Sequence, residues 1–193
     1  MARRDIRSPR LFVALRFPES VVEALEDIAF DVADAAWTPS EQYHLTLRFI
    51  GDPSPLSIRD VARALREVRA EAFDLDLRGT GHFPLRGDPA TLWVGAAENE
   101  ALNSLQRRVE AALRRAGIPS EGRNFHPHVT LANVKGCDPR EVGEFQVRHG
   151  LFRLDGIDVT EFHLCSSILR PEGAAHELEE SFPLDVAAAK RRT

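Results

Sequence analysis

Two tetrapeptides of one pattern, His44-Leu45-Thr46-Leu47 and His128-Val129-Thr130-Leu131, constrain this chain more than any other feature. Each lies in an apolar run, and a strand sends residues i and i+2 from one face, roughly 6.5 to 7 Å apart, and i+1 and i+3 from the other. Each copy therefore shows an imidazole and a hydroxyl to one side and buries two aliphatics on the other. One His and Thr two apart arises by chance, and a lone His beside apolar residues is more often structural. Two copies 84 residues apart, each within a similar order of elements, imply a repeated architecture.

The surrounding pattern supports that repeat. Residues 11–17 read as a strand, and Val21, Val22, Leu25, Ile28, Ala29 and Val32 keep helical spacing behind a Ser20/Glu23 capping box. The first motif strand, over 43–50, closes at Gly51-Asp52-Pro53; Ile58, Val61, Leu65 and Val68 mark a helix capped by Ser57, and 73–77 alternates as a half-buried strand. Gly79 to Pro89, rich in Gly and Pro, reads as a loop with a short strand at His82-Phe83. A strand over 91–96, a helix from an Asn99 cap to Gly117, a loop over 118–124 and the second motif strand over 126–134 follow. Asp138-Pro139 opens a short helix through Val142 and Phe145; strands come next over 151–154, 157–166 and about 175–184, and a tail over 186–193 should fray.

Strand, helix, motif strand, helix, strand thus occurs twice, over about 10–80 and 90–185. The expected fold is α+β: a single bilobal domain over 1–193 with two pseudo-symmetric lobes. Each lobe is an antiparallel sheet with helices on its outer face, and a central cleft carries one HxTx motif from each.

Composition removes several classes. With 193 residues, 43% of them apolar, the chain can bury a real core. No run approaches the roughly 18 apolar residues of a membrane span, and the start has no signal-peptide pattern, so no membrane partner and a cytoplasmic location are expected. Cys137 and Cys165 form neither a CxxC pair nor a disulfide framework. The net charge of -5 announces no global nucleic-acid binder, though a charge total does not describe a cleft. The basic residues are almost all Arg, the lysines being Lys135 and Lys190, and the planar guanidinium suits phosphate.

The motifs carry a resemblance over nearly the whole chain. Arg10-Leu11-Phe12-Val13-Ala14-Leu15, Tyr43-His44-Leu45-Thr46-Leu47-Arg48-Phe49-Ile50-Gly51, Phe125-His126-Pro127-His128-Val129-Thr130-Leu131-Ala132 and the closing segment from Leu164 to Gly173 resemble the two-histidine phosphoesterase superfamily. Within it they are similar to the prokaryotic RNA 2',3'-cyclic phosphodiesterase family, also called 2'-5' RNA ligases. One position departs: where members often carry Arg two residues after the second motif, this chain has Asn133. Arg48, read by alternation onto the face of His44 and Thr46, or Lys135 would have to replace that contact. His176 stands where an aromatic residue is common.

The resemblance implies hydrolysis of RNA ends bearing a 2',3'-cyclic phosphate to a 2'-phosphomonoester, with no metal and no cofactor, by a monomer. His44 would be proton donor to the leaving 3' oxygen and His128 proton acceptor from water. By their own chemistry, Thr46 and Thr130 would donate hydrogen bonds to the non-bridging oxygens, and by sharing the strand parity of His128, His126 would flank the site. Independently of the resemblance, histidine's unperturbed pKa near 6.5 lets one neutral and one protonated imidazole coexist near neutrality. His126-Pro127-His128 also has metal-ligand character, but no acidic or Cys cluster accompanies it. Phe49 alternates away from His44 and reads as core; His82, His149, His163 and His176 read as surface or structural. Reversible 2'-5' ligation, another small cyclic phosphate or 2'-5' oligonucleotide as substrate, and a non-catalytic RNA-end or nucleotide-binding module are the competing readings.

Overall fold

The computed structural model describes residues 10–52, 57–85, 88–170 and 173–186. The basic start, Pro53, Arg86, Pro171-Glu172 and the tail beyond 186 lie outside them. In chain order the elements are β1 (Arg10–Arg16), α1 (Glu19–Glu26), β2 (Ala36–Trp37), a 3-10 turn (Ser40–Gln42), β3 (His44–Gly51), α2 (Ile58–Leu65), β4 (Phe73–Leu85), β5 (Asp88–Ala96), α3 (Glu100–Arg115), β6 (His128–Asn133), α4 (Pro139–His149), β7 (Arg153–Val159), β8 (Glu161–Arg170) and β9 (Gly173–Pro183).

The strands form one sheet in the order β7-β4-β5-β6-β3-β1-β8-β9, with β2 appended to β6, and every pairing between strands is antiparallel. Alternation divides its faces. Leu11, Val13, Leu15, Leu45, Leu47, Leu75, Leu77, Leu92, Val94, Val129 and Leu131 are buried in one cluster that also holds Leu25, Leu65, Leu105, Val109 and Phe145 of the helices. The helices thus cover this face, and the other carries the polar residues of both motifs.

The motif strands β3 and β6 are neighbours, joined through the pair Leu45 and Val129. The groove expected between two sheets is therefore a seam within one continuous sheet. On either side of it the sequence halves interleave. Strand β4, from the first half, pairs with β5 and β7 of the second, while β8, from the second half, pairs with β1.

Several local signals act as the sequence reading expects. Ser57 accepts from the Asp60 N–H while the Asp60 carboxylate accepts from the Ser57 N–H, a full capping box; the Asn99 side chain accepts from the Leu102 N–H, and the Asp138 side chain accepts from the Arg140 N–H ahead of Pro139. The Ser20/Glu23 box does not form. Pro18, extended at φ -67°, starts α1 before Ser20, so Ser20 is already helical. The helix also stops at Glu26 and does not reach Val32; Phe30 takes φ +71°, outside helical space, and packs tilted against Trp37 with ring centroids 5.4 Å apart.

The segment read as a loop over 79–89 is instead the long β4–β5 hairpin, with pairs running from Leu77 with Ala96 to Leu85 with Asp88. Its Gly and Pro have packing reasons. A Cβ on Gly81 would overlap the indole of its cross-strand partner Trp93, and Pro84 falls where the register shifts. Gly81→Ala is expected to lower stability by about 1–3 kcal/mol, as overpacking does. Urea unfolding should show this loss shrinking in a Trp93→Leu background, because the clash needs both partners.

Candidate active site

Two backbone details shape the site, and both occur in both motifs. The register along β1 and β3 runs Arg16 with His44, Ala14 with Thr46, then Val13 with Arg48, leaving Leu47 unmatched. Along β5 and β6 it runs Gly95 with His128, Trp93 with Thr130, then Leu92 with Ala132, leaving Leu131 unmatched. Each motif thus ends in a β-bulge at its fourth residue, and a bulge exchanges the faces of everything after it. The Leu45–Val129 pair, continued in antiparallel register, sets His44 opposite Thr130 and His128 opposite Thr46. The two histidines are then diagonal neighbours across the seam, a spacing of about 7–8 Å between Cα atoms.

The second shared detail fixes the imidazoles. His44 Nδ1 lies 2.7 Å from the Gln42 carbonyl oxygen, and His128 Nδ1 lies 2.6 Å from that of His126, each two residues back. A carbonyl only accepts, so both Nδ1 atoms carry the proton and both Nε2 atoms are left as the exchangeable positions. Burial disfavours charge on both rings. It pushes His44 down to about 4, with the Gln42 contact opposing and His176, His128 and Arg16 adding to the depression. His128 is lowered for the same first reason, with the His126 carbonyl opposing.

Aromatic rings wall the site. Phe12 sits 4.9 Å from the His44 ring and Phe83 lies 4.8 Å from His128, centroid to centroid. Trp93 is 5.3 Å from His126. Alternation in the sequence did not mark Phe12, Phe83 or Trp93 as lining residues, because cleft and core are both apolar environments. His126 is 6.3 Å from His128, and the two rings share one pocket lining. His176, read as surface or structural, instead packs edge-on against His44 at 5.2 Å, carried there by β9.

The bulges correct two placements. Arg48, expected beside His44 and Thr46, turns to the helix-covered face and is buried. Its guanidinium donates to the Glu110 carboxylate of α3 and to the Phe49 and Pro119 carbonyls, with Glu121 3.6 Å away. It pins the segment after α3 to β3, and with Glu110 and Glu121 it forms part of the cleft lining that runs on from Thr46 and His128. Phe49, expected in the core, is 48% exposed on the His44 side, with the Arg123 guanidinium 5.6 Å from its ring centroid. Asn133, the match of Phe49 after the second bulge, is exposed on the cleft face five residues beyond His128, about 16 Å along the strand. Lys135 lies further still and takes no part in the lining around His44 or His128. Among the described residues no group of three or more His, Cys, Asp or Glu could hold a metal ion, and no helix is long and apolar enough to cross a membrane.

An α+β sheet bearing two HxTx strands side by side, with both imidazoles turned by the same backbone contact into one aromatic-walled cleft, defines the two-histidine phosphoesterase class. The chain belongs to the 2'-5' RNA ligase superfamily, whose family model matches residues 17–167. It is 36% identical over 186 residues to the RNA 2',3'-cyclic phosphodiesterase of Thermus thermophilus, covering 91% of this chain and 90% of that one. It is 34% identical over 146 residues to the enzyme of that name from Aeropyrum pernix, covering 71% and 79%. A crystal structure of a Thermus thermophilus protein matches at a TM-score of 0.74 with 30% identity, over 92% of this chain and 98% of that one.

Two measurements check this geometry. Nitrogen-15 NMR of the free protein should show His44 and His128 as Nδ1–H tautomers at neutral pH, both titrating below 6.5 with His44 the lower; both pKa values should rise when a nucleoside 2'-phosphate binds, since an anion favours imidazolium. Arg48→Ala should cost about 3 kcal/mol or more in urea unfolding, because it strands partly buried carboxylates and carbonyls.

Proposed function

We propose that the protein is an RNA 2',3'-cyclic phosphodiesterase that opens the cyclic ester to a 2'-phosphomonoester by acid/base catalysis with two histidines. On this reading residues 10–185 work as one bilobal unit. The observation that carries the reading is the pair of Nε2 atoms freed by matching Nδ1 contacts on two adjacent motif strands. Displacement at phosphorus needs a base on one side and an acid on the other, and diagonal imidazoles flanking a phosphate supply both.

In the proposed step, His128 Nε2 takes a proton from water as its oxygen bonds to phosphorus. The bond from phosphorus to the 3' oxygen breaks, and His44 Nε2–H gives that oxygen its proton. Thr46 and Thr130 donate hydrogen bonds to the non-bridging oxygens, where charge persists through the transition state. The burial that holds His44 near 4 in the free protein makes its protonated form a strong acid. The anionic substrate offsets the desolvation and lets the proton load. Supporting the substrate class, two relatives at least 34% identical carry the name RNA 2',3'-cyclic phosphodiesterase.

The test is turnover of an oligoribonucleotide ending in a 2',3'-cyclic phosphate, in excess EDTA, with the product phosphate located. His44→Ala and His128→Ala should each lower kcat by about 10² to 10⁴, and wild-type kcat/KM, which reports the free protein, should be bell-shaped in pH with both limbs below 6.5. Tight binding without hydrolysis would make the protein a binding module. Most activity surviving in either mutant would remove that histidine from the mechanism.

A further inference from the structure

Six arginines stand on or near the motif strands and loops, at 16, 48, 78, 86, 123 and 170, and their counter-ions sort them. Arg48 is buried on Glu110, Arg78 is paired with Asp76 and Asp155, and Arg123 is paired with Glu121. Arg86 and the side chain of Arg170 lie outside the described residues. Arg16 differs. It is exposed, it is the cross-strand partner of His44, and it makes no salt bridge or hydrogen bond with any described residue.

Arg16 lines a pocket beside His44, together with Phe12, His176, Glu41 and Glu177. A flat sheet would hold β9 three strand spacings, about 14 Å, from β3. The 5.2 Å between the His44 and His176 rings shows that β9 curls over this face and closes the pocket's side. His176 Nδ1 is buried there with no hydrogen-bond partner among the described residues. An unpaired cation, an orphaned ring nitrogen and the acid histidine therefore converge on one small concavity. A buried polar atom without a partner is the exception that calls for a ligand or ordered water.

An RNA 3' end carries phosphates in one direction from its terminal cyclic ester, toward the 5' side. We propose that the Arg16/His176 pocket receives the phosphate on the 5' side of the terminal nucleoside, so that the protein prefers an RNA end to a bare nucleoside 2',3'-cyclic phosphate. The inference rests on the cyclic phosphodiesterase reading above. Arg16 supplies the charge-assisted contact and His176 the hydrogen-bonding wall.

The experiment compares kcat/KM for a nucleoside 2',3'-cyclic phosphate with and without a 5'-phosphate, in wild type, Arg16→Gln, Arg16→Lys, His176→Phe and Arg123→Gln. Wild type should favour the 5'-phosphorylated substrate by about tenfold or more, the scale of one charge-assisted contact. Arg16→Gln should reduce that preference to about twofold, Arg16→Lys should restore part of it, and His176→Phe should weaken it while keeping the wall's shape. The preference should also fall with added salt in wild type but not in Arg16→Gln. Equal turnover of both substrates by wild type, or a preference that survives Arg16→Gln and disappears in Arg123→Gln, overturns the subsite and leaves the phosphodiesterase reading standing. No turnover of either substrate overturns both.

Discussion

The pairing of Leu45 with Val129 is the contact on which the site depends. Both side chains are fully buried on the helix-covered face, and hydrophobic burial there makes the register specific, since a one-residue slip would drive two aliphatic side chains into the cleft. With that register set, the antiparallel geometry dictates the rest. Continued from that one pair, antiparallel register would set each histidine opposite the other motif's threonine and the two imidazoles at opposite corners of a small quadrilateral. The chemistry of the seam is a by-product of how two apolar faces meet.

The bulges after Thr46 and Thr130 are the second device. Without them, strict alternation would keep Arg48 beside the histidine pair and turn Phe49 inward. With them, Arg48 becomes a structural clamp between β3, α3 and the segment at Pro119, and Phe49 becomes an exposed wall of the cleft. The same bulge in β6 brings Asn133 to the cleft side but far from His128. Positive charge near His44 therefore comes from β1, through Arg16, and not from the motif strands.

Burial connects packing to protonation. The Phe12 and His176 rings that hold His44 in place also exclude water from it, and the cost of charging a desolvated imidazole lowers its pKa. His128 sits against Phe83 in the same way. Each ring is oriented by one backbone carbonyl and desolvated by aromatic neighbours, so rigidity and acidity arise from the same contacts.

By itself the sequence determined the α+β class, the two motif strands, the His/Thr pairs and three helix caps, because these depend on interactions within a few residues or on strict periodicity. Alternation placed Leu45, Leu47, Val129 and Leu131 in the core, and the repeat announced paired sites. Tertiary structure alone decided what required distant partners. The indole of Trp93 needs Gly81, so a segment that looked like a loop is a hairpin. The bulges become visible only against β1 and β5, so Arg48 and Phe49 exchange faces. The curl of β9 brings His176 to His44 from 132 residues away in the chain. Local spacing encodes which face a residue takes until a bulge intervenes; which partner it meets there is set by strand order, and strand order is settled by packing across the whole sheet.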